Sequence, residues 1–266
     1  MTNFQKIVKY FAIVLSFALI AGIAAGVISG VSVLAKLTDL TTSDGKVDNV
    51  QEETIKKIRI KLFRTDLIIV EGESFNAETD NDDVTVKEVF GTLVVEENNK
   101  SIVDSIKKSK LVLTVPEGYA LEQIKITTGA GKFSAEVLNA EKIDLNFGAG
   151  EVGIDKILSG EKTEITGGAG KVEIRDGKTN DLDLDMGMGK LYYRAEITGS
   201  SELDCGMGGM ELILLGGEEN YSVDLDKGLG LASINGICYD DGIDYGDGEN
   251  KLDINGGVGE IKVSFE

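Results

Sequence analysis

Apolar residues return along most of this chain in one register, set by seven Gly-x-Gly triplets: Gly129-Ala130-Gly131, Gly148-Ala149-Gly150, Gly168-Ala169-Gly170, Gly187-Met188-Gly189, Gly206-Met207-Gly208, Gly228-Leu229-Gly230 and Gly257-Val258-Gly259. Three residues before each triplet stands Ile or Leu: Ile126, Leu145, Ile165, Leu184, Leu203, Leu225, Ile254. Two residues after its second glycine comes Phe133, Val152, Val172, Leu191, Met210, Ala232 or Ile261, and the middle residue of the triplet is itself always apolar. Period-two alternation on both sides of a glycine pair predicts strand, sharp bend, strand in every repeat. Glycine suits the bend because it tolerates positive φ and lets a neighbouring backbone approach closely. The triplets are spaced 19, 20, 19, 19, 22 and 29 residues apart. A period of about 20 residues is the mark of a solenoid whose coils bury their apolar sides against one another. The expected fold is therefore all-β, a single-chain β-solenoid with Gly-x-Gly corners.

Residues 126–266 carry the regular repeats, and 55–125 read as less regular leading coils. Strands are predicted there at Ile58–Leu62, Leu67–Val70, Val84–Val89, Leu93–Val95 and Leu111–Val115, with the turn cluster Asp80-Asn81-Asp82-Asp83 among them. Taken in chain order, the C-terminal strand Glu260–Phe265 should end the stack.

Two polar columns flank the buried Ile/Leu column and must face outward together. One is Thr127, Asn146, Thr166, Asp185, Asp204, Asp226 and Asn255, residues able to brace the corner through Asx- or Thr-type turns. The other is Lys125 followed by six acids: Asp144, Glu164, Asp183, Glu202, Asp224, Asp253. Coils about 4.8 Å apart would stack Asp183, Asp185, Glu202, Asp204, Asp224 and Asp226 into an acidic ladder, and like charges directly opposite one another destabilise a sheet. The ladder is either a solvated face that keeps the domain soluble or a surface for cations, with weak Ca²⁺ binding and a cationic partner as its two forms.

The N-terminus carries a different pattern. Tyr10 to Ala35 is an uncharged run of 26 residues, about 39 Å long as a helix, against a bilayer core of about 30 Å. Residues 10–35 are read as a transmembrane helix, 1–9 as a cytoplasmic N-terminus and 36–54 as a linker. Lys6 and Lys9 before the run place the rest outside, a single-pass protein of the cell membrane with an extracytoplasmic C-terminal domain. Val33-Leu34-Ala35 would also pass as a cleavage site, but the run exceeds a signal-peptide core. Gly22, Gly26 and Gly30 share one helical face, a spacing that lets transmembrane helices approach. The whole chain carries −19; residues 1–36 hold three lysines and no acid, which leaves 24 basic against 46 acidic side chains, or −22, on residues 37–266.

There is no His and no Trp, and the four arginines are Arg59, Arg64, Arg175 and Arg194. The usual general base near neutral pH and the commonest zinc ligand are thus missing. Cys205 and Cys238 occupy different places relative to their nearest triplets, and two free, partly buried thiols are expected. Gly148-Ala149-Gly150-Glu151-Val152-Gly153 matches a dinucleotide fingerprint, but a strand rather than a helix follows it. The acid-rich insertion Tyr239–Glu249 fails the register of a calcium-binding EF-hand and reads as a solvated loop. No catalytic residue, cofactor site or nucleic-acid partner is expected.

Leu111-Val112-Leu113-Thr114-Val115-Pro116, then Ile124-Lys125-Ile126-Thr127-Thr128-Gly129-Ala130-Gly131, then successive Leu-x-x-Gly-x-Gly-x-Val-x-Ile units resemble the toastrack-type β-strand-repeat family of bacterial envelope proteins. The resemblance covers about 55–266. It implies a β-solenoid outside the membrane, in a family whose members are often labelled adhesins, are formally of unknown function and are frequently associated with envelope-stress systems. It supplies no catalytic residues. Two function classes remain: a non-enzymatic, membrane-anchored envelope binding module, and a β-helical carbohydrate-active enzyme using a carboxylate pair across a cleft.

Overall fold

The computed structural model describes residues 55–98 and 109–266. The expectations for 1–9, 10–35 and 36–54, with the Gly22, Gly26 and Gly30 row, lie outside the described residues. Among the described residues no helix is long and apolar enough to cross a membrane.

Fifteen strands and one short 3₁₀ turn, Glu218–Asn220, make up the described chain. The strands are β1 (Lys57–Leu62), β2 (Asp66–Gly72), β3 (Asn76–Thr79), β4 (Val84–Val89), β5 (Thr92–Glu97), β6 (Lys110–Pro116), β7 (Leu121–Ile174) and β8 (Gly177–Asn180). The remainder are β9 (Leu182–Thr198), β10 (Ser200–Leu214), β11 (Tyr221–Asp226), β12 (Leu231–Ile234), β13 (Ile237–Tyr239), β14 (Ile243–Tyr245) and β15 (Asn250–Phe265). β7 runs unbroken for 54 residues because it bends at the glycine corners without losing its pairing. The fold is all-β and solenoid-like, as the alternation predicts. β3 escaped the sequence reading because four residues around one small buried Ala77 carry almost no periodic signal.

The middle coils have three legs where the sequence suggested two. Leg one, before the corner, pairs Ile165, Leu184, Leu203 and Ile254 in register. Leg two, after it, pairs Val172, Leu191, Met210 and Ile261. The third joins Leu158 on β7 to Lys178 on β8, and Lys178 to Glu196 on β9. The side chains show the extra bend as two successive outward residues, Asp155 and Lys156, where strict alternation allows one. The core is continuous: Ile126, Leu145, Ile165, Leu184, Leu203, Ile254 and Leu225 are all at most 1 % exposed.

Chain order and stacking order differ at both ends. β15 lies between β10 on one side and β11 with β12 on the other, pairing Leu203 to Ile254 and Ile254 to Leu225. The coil of triplet 257–259 therefore sits inside that of triplet 228–230, and Glu260–Phe265 does not end the stack. At the opposite end β1 lies between β5 and β7, and β2 between β6 and β7. In both places the outermost parallel coil is covered by antiparallel strands. β4 closes β5 and β3 closes β6; β13 closes β12 and β14 closes β11. An uncovered sheet edge is a template for further pairing, and these local strands occupy it. β13 and β14 also mean that the insertion Tyr239–Glu249, expected as a loop, is partly strand.

The glycine corners record the same order. A Cβ on Gly150 would lie 2.2 Å from the carbonyl oxygen of Gly131, and one on Gly170 1.9 Å from that of Gly150. The series continues Gly189 to Gly170, Gly208 to Gly189, Gly259 to Gly208, and only then Gly230 to Gly259. Corner backbones stack with no room for any side chain between them.

The first coil of the chain has no glycine at this corner. Phe63, Arg64 and Thr65 take the place, and a carboxylate covers them: Glu97 Oε2 accepts the backbone N–H groups of Phe63 at 2.6 Å, Arg64 at 3.0 Å and Thr65 at 3.4 Å. Asn81 donates to Glu97 Oε1 at 3.2 Å and to the Thr65 hydroxyl at 2.8 Å. Burial raises the Glu97 pKa, but these N–H donors outweigh it and hold the carboxyl below its usual value.

Candidate binding face

Leg one places the acidic ladder on one outward face, in the stacking order rather than the chain order. Asp183 pairs with Glu202, Glu202 with Asp253, and Asp253 with Asp224; beside them Asp185 pairs with Asp204, Asp204 with Asn255, and Asn255 with Asp226. The ladder therefore includes Asp253, while Asp224 and Asp226 do not neighbour Glu202 and Asp204. On β14 Asp244 stands opposite Asp224 and extends the row. Lys125 neutralises Asp144 where the row begins, and Lys162 bonds Glu164 at 2.5 Å. Beyond Glu164 the carboxylates crowd one another. Burial first, then the charges of Asp204, Asp183 and Glu202, push the Asp185 carboxyl up to about 6. The Asp204 charge, then burial, Asp253 and Asp183, raises Glu202. Burial, then Asp244, Asp253 and Asp226, raises Asp224.

The polar column braces its corner at Asp226, whose Oδ1 accepts the Gly228 N–H at 2.9 Å. Asn146 and Asn255 act differently, donating to Asp144 at 2.6 Å and Asp253 at 2.9 Å along the face.

The corner itself carries the middle residues of the triplets, and these point to solvent. In stacking order they run Ala169, Met188, Met207, Val258, with Leu229 against Gly257 beyond. Met188 is 50 % exposed, Met207 43 %, Val258 51 % and Leu229 67 %; Leu231 and Ile237 lie exposed at the same end. A single exposed apolar side chain is ordinary, whereas a contiguous exposed row is the kind of feature that marks an interaction site. It lies beside the acidic face, since Asp185 and Asp204 each stand three residues before an exposed methionine.

Leg two is charge-balanced. Lys132 bonds Glu151 at 2.6 Å, Lys262 bonds Glu260 at 2.9 Å, and Arg175 bridges Glu173 and Asp155. Gly209 leaves a gap in its outward column, forming an open depression of about 360 Å³ lined by Lys171, Lys190, Tyr192, Glu211 and Glu260 among others. Cys205 is buried and Cys238 exposed, both free thiols, so only the first matches the expected partly buried state.

The family model Toastrack DUF4097 matches residues 55–266. The chain belongs to this family. Two solved structures are similar to this toastrack domain. One is described as a candidate cell adhesion protein from Clostridium sporogenes ATCC 15579, at 16 % identity and TM-score 0.36, covering 82 % of this chain and 96 % of the other. The second is described as a candidate adhesin from Bacteroides fragilis NCTC 9343, at 15 % identity and TM-score 0.39, covering 79 % and 92 %. A search of curated proteins finds no match.

Among the described residues of this toastrack domain, no three acidic or cysteine side chains are placed to hold one metal ion. The ladder carboxylates stand side by side along one leg. The exposed apolar row was present in the sequence as the triplets' middle residues. Its outward direction was not, because a glycine corner interrupts the alternation that would assign it.

Proposed function

We infer that this toastrack protein is a non-enzymatic, membrane-anchored binding module of the cell envelope, passing the membrane once through residues 10–35 with the solenoid outside. It serves as an adhesin or as a binding module associated with an envelope-stress response. The observation that carries this reading is the exposed row Met188, Met207, Val258 and Leu229 bordered by the acidic leg. A partner with an apolar strip flanked by Lys or Arg complements both features. It would bury the row and relieve repulsion among Asp183, Asp185, Glu202, Asp204 and Asp253, with salt weakening the contact. A second copy brings its own −22 on residues 37–266 and is disfavoured.

A polysaccharide-cleaving activity would need carboxylates facing each other across a groove; Asp183 and Glu202 are instead in-register neighbours on adjacent strands.

The test is capture from membranes with the intact chain, comparing wild type with Met188→Ser/Met207→Ser/Val258→Ser and with Asp185→Asn/Asp204→Asn. Partners lost from both variants support the reading, and a partner set unchanged in both removes it. Protease added to sealed cells should digest the solenoid; full protection would reverse the orientation.

A further inference from the structure

Each end of the stack uses the same device, a two-residue hairpin turn with both central residues at positive φ, but the residues differ. Between β12 and β13 the turn is Asn235-Gly236, at φ 49° and 77°. Asn-Gly is the pair such turns favour. Between β4 and β5 it is Phe90-Gly91, at φ 48° and 72°. A bulky aromatic at positive φ is strained. Burial does not compensate, because Phe90 is 101 % exposed and Val89 beside it 44 %.

The position of this tip is informative. The Gly91 carbonyl oxygen accepts the N–H groups of Lys56 at 2.7 Å and Lys57 at 3.1 Å, which fixes the tip against the first residues of the domain. Upstream lie residues 36–54 and then the uncharged run Tyr10–Ala35. Nineteen residues, 36–54, reach at most about 68 Å however they are arranged. Lys56, Lys57, Arg59 and Lys87 outnumber the nearby acids Glu88, exposed on β4, and Glu122. Lys57 and Arg59 are exposed on β1, Arg59 pairs with Val94, and Val94 pairs with Lys87. Lys56 and Lys57 share the single carboxylate of Glu122, at 3.2 and 3.7 Å. An exposed aromatic among lysines and arginines is the composition of a membrane-interface contact. The opposite end of leg one, with Asp253, Asp224 and Asp244, would be repelled by an anionic leaflet.

We propose that Phe90, with Val89, inserts into the headgroup region of the bilayer that holds the chain's own apolar segment. The contact pins the β4–β5 end of the solenoid to the membrane and turns the acidic end outward. It rests on reading residues 10–35 as the anchor.

The chain has no tryptophan, so Phe90→Trp is a unique fluorescent reporter, and Ile237→Trp on the opposite cap is its control. Each full-length variant is reconstituted into vesicles of equal parts phosphatidylglycerol and phosphatidylcholine, with and without brominated acyl chains. The expected result is blue-shifted emission quenched by bromine for Phe90→Trp, and neither effect for Ile237→Trp. Water-like, unquenched emission from Phe90→Trp, while the chain resists alkaline extraction, overturns the insertion and leaves the anchor standing. A blue shift without bromine quenching means a protein pocket holds the tip and also overturns it. Equal quenching of both reporters overturns the orientation. Release of the chain by alkali removes the anchor and the proposal together.

Discussion

Gly208 and Gly259, fifty-one residues apart in the chain, are direct neighbours in the stack: a Cβ built on Gly259 would lie 1.6 Å from the Gly208 carbonyl oxygen. That contact defines the crossing by which the last coil of the chain is laid inside the one before it. It also makes the site intolerant. The obstructing atom is backbone, and Gly259 has φ 155°, at the edge of the region where L residues are strained. Gly259→Ala should cost about 3 kcal/mol or more, by overpacking and backbone strain together. A denaturant melt of the domain measures it, and a loss below about 1 kcal/mol would contradict this stacking order.

Glu97 does at the first coil what glycine stacking does at the later ones. Glu97→Gln keeps the shape but removes the charge from a group accepting three backbone N–H bonds, and should destabilise by about 2 kcal/mol. The pH dependence has a definite sign. The folded pKa is depressed, so the stabilisation is present above the unfolded value near 4.5 and is lost as pH falls through the folded value. Melting temperature against pH should lose its acid-side decline in part in the variant.

Asp185 has the opposite sign. Its folded pKa is pushed up to about 6 from the ordinary 3.8, so the folded state holds the proton more tightly across that window. Stability from this group is greatest below about pH 4 and falls as pH rises through 6. Asp185→Asn should therefore stabilise the domain at pH 7, by on the order of 1 kcal/mol once solvent screening of a half-buried group is allowed for. The gain should vanish near pH 4. An equal effect at both pH values would show that repulsion along the ladder is not its cause.

Phe90→Asn restores the Asn-Gly pair used by the opposite cap and should stabilise the isolated fold by about 0.5–1 kcal/mol. Thermal melts of the two proteins compare this directly. A variant less stable than wild type would mean that the Phe90 side chain makes a structural contribution its full exposure does not reveal.

Much of the fold is legible in the sequence alone. The identity of Ile126 through Ile254 at one register predicts a buried column, and that column is buried without exception. The acidic face followed from period-two geometry, since Asp183 and Asp185 must point away from Leu184. The row Met188, Met207, Val258 was visible as apolar residues without a direction. Glu97 was illegible as a corner brace, because nothing local links it to Phe63, Arg64 and Thr65 more than thirty residues earlier.

What the sequence determined alone is everything with a local cause: strands from alternation, corners from glycine, one acidic face from the register, and a long apolar run before the domain. The tertiary structure alone decided the order of the coils. Each repeat offers its neighbours the same Ile/Leu, the same glycine pair and the same pleat, so the local pattern does not say which coil stacks on which. The wider spacings of 22 and 29 residues before triplets 228–230 and 257–259 show that the chain makes a detour there, but not where it returns. The return is set by the sheet edge. A coil that carries its own antiparallel strands, β13 and β14, can close the stack, whereas β15 presents backbone donors and acceptors on both sides and is satisfied only between two other coils.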